Sequence, residues 1–134
     1  MAKLTTIEGI GPAIEAKLKR AGIGSVESFL KICCDKKGRK EVAAKTNIDE
    51  GKILRFTNHA DLMRIKGIGG EYSELLEASG VDTVVELAQR NAANLHAKMV
   101  ETNGKKKLVR QVASESQVSN WVSQAKKLKR VVTH

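Results

Sequence analysis

The sequence predicts an all-α protein made of two related helical units, and three observations carry that prediction. First, the stretch Ile7-Glu8-Gly9-Ile10-Gly11-Pro12 returns as Ile65-Lys66-Gly67-Ile68-Gly69-Gly70. Gly9 and Gly67, Gly11 and Gly69, and Gly22 and Gly80 each stand 58 positions apart, as do Leu18 and Leu76. A constant offset of this kind marks an internal duplication. Second, two glycines around one isoleucine permit a tight turn with positive φ, and the residues after the turn have helical spacing. Pro12 suits the first position of a helix, Ile14 and Leu18 continue its apolar side, and Gly22 is placed to cap it. Third, aromatic residues are only 3% of the chain (Phe29, Phe56, Tyr72 and Trp121), so the core must be aliphatic. The same scarcity argues against base stacking as a mode of recognition.

The elements of the first unit come in order. Residues 2–7 are expected to form a short helix with Leu4 and Ile7 facing inward, followed by the glycine turn and the helix from Pro12. Ser25 is a plausible N-cap for a helix carrying Val26, Phe29, Leu30 and Cys33. Asp35-Lys36-Lys37-Gly38 interrupts it, and Arg39 to Lys45 reads as another short helix with Val42 and Ala43 as its apolar side. Lys36, Lys37, Arg39 and Lys40 cluster at this junction, a pattern that is commonly a solvated charged turn. Asp49 is the expected N-cap of the last helix, with Ile53, Leu54, Phe56 and Ala60 inside. Neither Pro nor Gly follows Gly51 before Gly67. The sequence therefore predicts two units, 1–61 and 62–134, rigidly joined by a continuous helix rather than a flexible linker.

In the second unit Thr83 and Glu86 have the spacing of a capping box before Val84. Asn91 starts a helix with Leu95, Met99 and Val100, which Asn103-Gly104 is expected to stop. Lys105-Lys106-Lys107-Leu108-Val109-Arg110 has no counterpart in the first unit. Beyond it Phe56 aligns with Trp121 and Ala60 with Ala125, now 65 positions apart. The second copy thus gains about seven residues in this connector, and connectors that depart from a repeat are where function is added. Ser114 and Gln117 cap the final helix, whose buried stripe is Val118, Trp121, Val122, Ala125 and Leu128. Val131 to His134 reads as a frayed tail.

With those residues in hand, the chain resembles the helix-hairpin-helix family. Ile7, Gly9-Ile10-Gly11 and Leu18 match its pattern, and Ile65, Gly67-Ile68-Gly69 and Leu76 match it again. The resemblance implies two fused modules similar to the compact helical C-terminal domain of the RNA polymerase alpha subunit. The whole chain also resembles an uncharacterised bacterial family of paired modules of this kind. In the helix-hairpin-helix family the turn amides hold one DNA backbone phosphate without reading sequence. Binding members of that family carry a small residue where this chain has Glu15 and Ser73, and a Lys or Arg where it has Ala13 and Glu71. The charge after each turn makes the first copy the better candidate. Glu71, Glu74 and Glu77 on the second copy's helix would repel a phosphate, whereas Lys17, Lys19 and Arg20 follow the first turn.

The formal charge of +9 and the pI of about 9.7 favour an anionic partner. That charge is uneven: residues 62–95 carry three basic and five acidic side chains, residues 96–134 nine and two. Cys33 and Cys34 are neighbours about 100° apart on a helix, so they are expected to be reduced thiols rather than a disulfide or shared metal site. No run of membrane length and no targeting segment is visible, so a cytoplasmic location is expected. His59, His96 and His134 are scattered, and no catalytic residue, cofactor, metal site or small-molecule substrate is indicated.

A glycine turn feeding a helix leaves unpaired N–H groups backed by the helix dipole, which suits a phosphate. The expected function is therefore non-catalytic, non-sequence-specific binding of double-stranded DNA. The expected contacts are Gly9, Ile10, Gly11, Lys17 and Arg20 in the first unit. In the second they are Lys66, Gly67, Gly69, Lys105, Lys106, Lys107 and Arg110. The alternatives are a protein partner, with the hairpins serving a scaffold, and association with RNA or the ribosome.

Overall fold

The structure, a computed structural model, describes residues 2–134. It is all-α. A 3-10 helix, Leu4–Thr6, is followed by α1 (Pro12–Arg20), α2 (Val26–Cys33), α3 (Lys36–Thr46), α4 (Glu50–Leu62), α5 (Gly70–Ala78), α6 (Val84–Ala88), α7 (Ala92–Lys106) and α8 (Glu115–Lys127). The chain divides into two compact units, Met1–Asp61 with Val131–His134, and Leu62–Arg130.

In the first unit Leu4, Ile7, Ile10, Leu18 and Ile23 line up under the glycine turn and are all buried. Phe29 meets Phe56 edge-on, with ring centroids 6.5 Å apart. The first helix expected over 2–7 is a single 3-10 turn, because the Ile7 amide already bonds the Leu4 carbonyl. Ala2 is instead tied to the start of α2: it accepts from the Val26 amide at 3.0 Å and donates to Glu27 Oε1 at 3.0 Å. Ser25 caps α2, with Ser28 completing a reciprocal capping box.

The interruption expected over Asp35 to Gly38 is present but shorter, confined to Cys34 and Asp35. Asp35 accepts from the Gly38 amide at 2.8 Å and caps α3, which begins at Lys36. Arg39 is consequently no part of a solvated turn. It is 3% exposed, donating through Nη1 to the Cys33 carbonyl at 3.0 Å and through Nη2 to the Thr133 carbonyl at 2.7 Å. It thereby satisfies a carbonyl left open at the end of α2. The tail is likewise not frayed. Val132 is 2% exposed, and the Thr133 amide donates to the Cys34 carbonyl at 2.8 Å, so Val131–His134 belong with the first unit rather than the second.

α4 stops at Leu62, short of Ile65, where the Ile65 amide turns back to the Leu62 carbonyl at 3.1 Å. Unit two is built around Leu75, Leu76, Val84, Leu95, Met99 and Trp121, all buried in one cluster. α8 packs on α6 and α7, and Tyr72 meets Trp121 with ring centroids 5.2 Å apart. Ser114 and Gln117 form the expected capping box on α8. Thr83 makes no cap on α6; only Glu86 reaches back, to the Asp82 amide at 3.2 Å. Val100 and Leu128, expected inside, are 48% and 38% exposed. α7 also runs through Asn103-Gly104 to Lys106, since one mid-helix glycine costs only about 1 kcal/mol. What ends it is Lys107, in the left-handed region at φ 52, with its amide on the Asn103 carbonyl at 2.8 Å.

Candidate nucleic-acid interface

Gly9 adopts φ +97 and Gly67 φ +103, the left-handed conformation that the turn requires. Each also faces an aromatic ring of its own unit. A Cβ on Gly9 would lie 3.0 Å from Phe56 Cε1, and one on Gly67 would lie 2.9 Å from Trp121 Nε1. The turn is thus seated on the last helix of each unit. Gly11 and Gly69 have extended backbone, and nothing lies within 4 Å of where their Cβ would be.

The amides around the first turn separate into used and open ones. Ile10 donates to the Ile7 carbonyl at 3.1 Å and its side chain is 4% exposed, so it offers neither a free amide nor a reachable side chain. This corrects its place among the expected contacts. The first bond of α1 runs from the Glu15 amide to the Gly11 carbonyl at 2.9 Å. Among the described residues the amides of Gly9, Gly11, Ala13 and Ile14 therefore have no acceptor in the protein. Pro12 has no N–H to add.

Ala13, Ala16, Lys17 and Arg20 are all exposed, and at 3.6 residues per turn they fall within roughly 100° of one another on α1. Two methyl groups next to the open amides leave room for a bulky anion, with two cations further along the same face. Neither Lys17 nor Arg20 makes an ion pair among the described residues. Lys19 lies on another face and pairs with Glu15 at 3.9 Å. Lys17 and Arg20, with Ala21, Lys45 and Thr46, line a cleft of about 450 Å³. Lys45 escaped the sequence reading because only the packing of α3 on α1 brings it there.

At the second turn the amides of Gly67, Gly69, Gly70, Glu71 and Tyr72 likewise have no acceptor among the described residues, but the Lys66 backbone is occupied. The Ile68 amide bonds the Ile65 carbonyl at 3.1 Å. The side-chain amide of Gln124 clasps the Lys66 backbone, accepting from its N–H at 2.9 Å and donating to its carbonyl at 3.0 Å. Lys66 therefore offers a side chain but no free amide. Gly67 and Gly69 are exposed, with Glu71 exposed at the start of α5. Lys105, Lys106, Lys107 and Arg110 are all exposed. Lys105 and Lys106 form the last turn of α7 rather than a loop, and Lys105 pairs with Glu101 at 3.5 Å. Asn103 braces the connector beyond α7: its Nδ2 donates to the Val109 carbonyl at 3.0 Å, and its Oδ1 accepts from the Val109 amide at 2.9 Å. Lys107 and Arg110 flank this clasp.

Cys33 is buried and free, and Cys34 is partly buried and free. Burial pushes the Cys33 thiol up to about 12, against the opposing pull of Arg39 and of a hydrogen bond with Thr57. Such a thiol is not a nucleophile at neutral pH. Among the described residues no group of three or more His, Cys, Asp or Glu could hold a metal ion. No helix among them is long and apolar enough to cross a membrane.

A family model described as a domain of unknown function (DUF4332) matches residues 8–128. No curated protein and no solved structure matches the chain.

Proposed function

The chain belongs to the DUF4332 family, a domain of unknown function, so its role must be read from its own residues, and we propose a non-catalytic module that grips the backbone of double-stranded DNA. The observation that carries this reading is the first turn. Its open amides at Gly11, Ala13 and Ile14 sit at a helix N-terminus, where a phosphate is favoured by both hydrogen bonding and the helix dipole. The match of Ile7, Gly9-Ile10-Gly11 and Leu18 to the helix-hairpin-helix pattern supports the same use. So do the cationic face of α1, the exposed Lys105, Lys106, Lys107 and Arg110, and a net charge of +9.

On this reading the two copies are unequal. The first turn holds a phosphate; the second, with the Lys66 amide spent on Gln124 and Glu71 beside it, is mainly a connector that supplies lysines. Contacts made to phosphates carry no base readout, so affinity should hardly change with sequence. It should also fall linearly on a log–log plot against salt, by about 0.9 per phosphate neutralised.

A salt titration with random-sequence duplex tests this. The wild-type chain should bind at low salt with a steep slope. Lys17→Glu with Arg20→Glu, two exposed changes, should weaken binding by more than tenfold while leaving the fold intact, given charge reversal at two sites. Lys105→Glu, Lys106→Glu and Lys107→Glu together should lower the slope further. Absence of any duplex binding at low salt overturns the proposal. Tighter binding to structured RNA than to duplex would move the reading to RNA, whose A-form groove presents phosphates differently.

A further inference from the structure

We infer that the cleft between α1 and α3 is a phosphate-binding site, with Lys17, Arg20 and Lys45 as its ligands. Its volume of about 450 Å³ is more than one phosphate needs and lies within the usual range for small-ligand sites. The lining contains three cations and no carboxylate. Glu15 is turned toward Lys19, and Glu41, one turn before Lys45 on α3, makes no ion pair with it among the described residues.

The simplest competing account is that these cations merely neutralise two helix C-termini. The end of α1 is already closed in large part, the Leu18 carbonyl accepting from the Ile23 amide at 2.9 Å and the Lys19 carbonyl from the Gly22 amide at 3.0 Å, which leaves the Arg20 carbonyl. At the end of α3 the Asn47 amide donates to the Ala43 carbonyl at 2.9 Å, and the Thr46 hydroxyl donates to the Val42 carbonyl at 2.7 Å. Charge counting decides against that account, since two helix ends of roughly −0.5 each leave about two of the three positive charges uncompensated. Thr46 also accepts from the Ile48 amide at 3.3 Å, so it is wall rather than ligand.

The inference deepens the DNA reading and takes its polymer ligand from it. Lys17 and Arg20 lie roughly 6 to 10 Å along α1 from Ala13. At about 3.4 Å of axial rise per phosphate on one strand, that is two or three nucleotides from a phosphate held at the turn. The same three cations could also hold a free polyphosphate, and the experiment separates the two sources.

In the first arm the full chain is titrated with inorganic pyrophosphate and followed by amide chemical shifts. Saturable shifts are expected at residues 17–21 and 45–47, lost in Lys45→Gln and kept in Lys31→Gln, an exposed change on α2 outside the cleft. No saturable shift there, or an unchanged response in Lys45→Gln, overturns the site. In the second arm duplex binding is measured against salt. Lys45→Gln should lower the slope by about 0.9, the loss of one phosphate contact. If pyrophosphate binds through Lys45 but that slope is unchanged, a backbone phosphate as ligand is refuted and the site stands for free polyphosphates. If pyrophosphate binds and the wild type ignores duplex altogether, the DNA reading fails while the cleft survives.

Discussion

Gly9 and Gly67 carry two constraints at once, a left-handed backbone and a ring against the missing Cβ. A side chain in that conformation costs about 1–3 kcal/mol, before any displacement of Phe56 or Trp121. Gly67→Ala is expected to lose about 2–4 kcal/mol of unfolding free energy in urea, and Gly9→Ala slightly less because its ring contact is looser. Gly11→Ala and Gly69→Ala, at φ −95 and −106 with open space ahead, should stay within about 0.5 kcal/mol of wild type. Equal losses at all four positions would contradict this division. Cys33 makes stability depend on pH in the alkaline range. The thiol's ordinary value of 9.0 rises to about 12 in the folded chain, because burial disfavours the thiolate. The folded state keeps the proton while the unfolded state loses it, so this stability is complete below pH 9 and is lost as pH climbs toward 12. Cys33→Ala should show a shallower fall in urea midpoint between pH 9 and 11 than wild type; parallel curves would mean that the thiol titrates freely.

At the scale of elements, legibility in the sequence tracked how local the deciding interaction is. The caps Ser25, Asn91 and Ser114 are made within four residues of chain, and each stands where its spacing placed it. The match of Phe56 with Trp121 was visible as an offset, but not that both rings close on the turn glycines. α3 was read too short because Lys36-Lys37-Gly38 looks like a turn, whereas Asp35 converts it into a first helical turn. α7 was also read too short. Its glycine is tolerated, and the true stop is a lysine held left-handed beside the Asn103 clasp on Val109. The candidate site divides the same way. The first turn and the cations of α1 were legible from one continuous stretch. Lys45 and the Gln124 clasp on Lys66 were not, since each depends on a helix distant in sequence.

Across the whole molecule, the bonds between the tail and the first unit are of very long range and were not visible in the sequence. Arg39 and Thr133 are 94 positions apart, yet the tail supplies one of the two carbonyls that the buried guanidinium bonds in the first unit. Val132 adds a buried side chain, worth about 1.5–3 kcal/mol, and a bond from a charged donor adds about 1.5–3 more. Fixing four residues of backbone costs about 1–2 kcal/mol each, so gain and cost nearly cancel, and the loss on removal falls on Arg39. Deleting residues 131–134 leaves the Arg39 Nη2 and the Cys34 carbonyl without these partners. The expected outcome is a loss of about 1–3 kcal/mol, set by the cost of a buried charged group that loses a bond. Hydrogen exchange should locate it: amides at the end of α2 and the start of α3 should exchange faster in the truncated chain, while those of α7 and α8 keep their rates. Arg39→Met should loosen the same amides and also free the tail, because it removes the group that both segments share. If truncation leaves exchange at residues 33–39 untouched, the tail is a passenger and the first unit is closed without it.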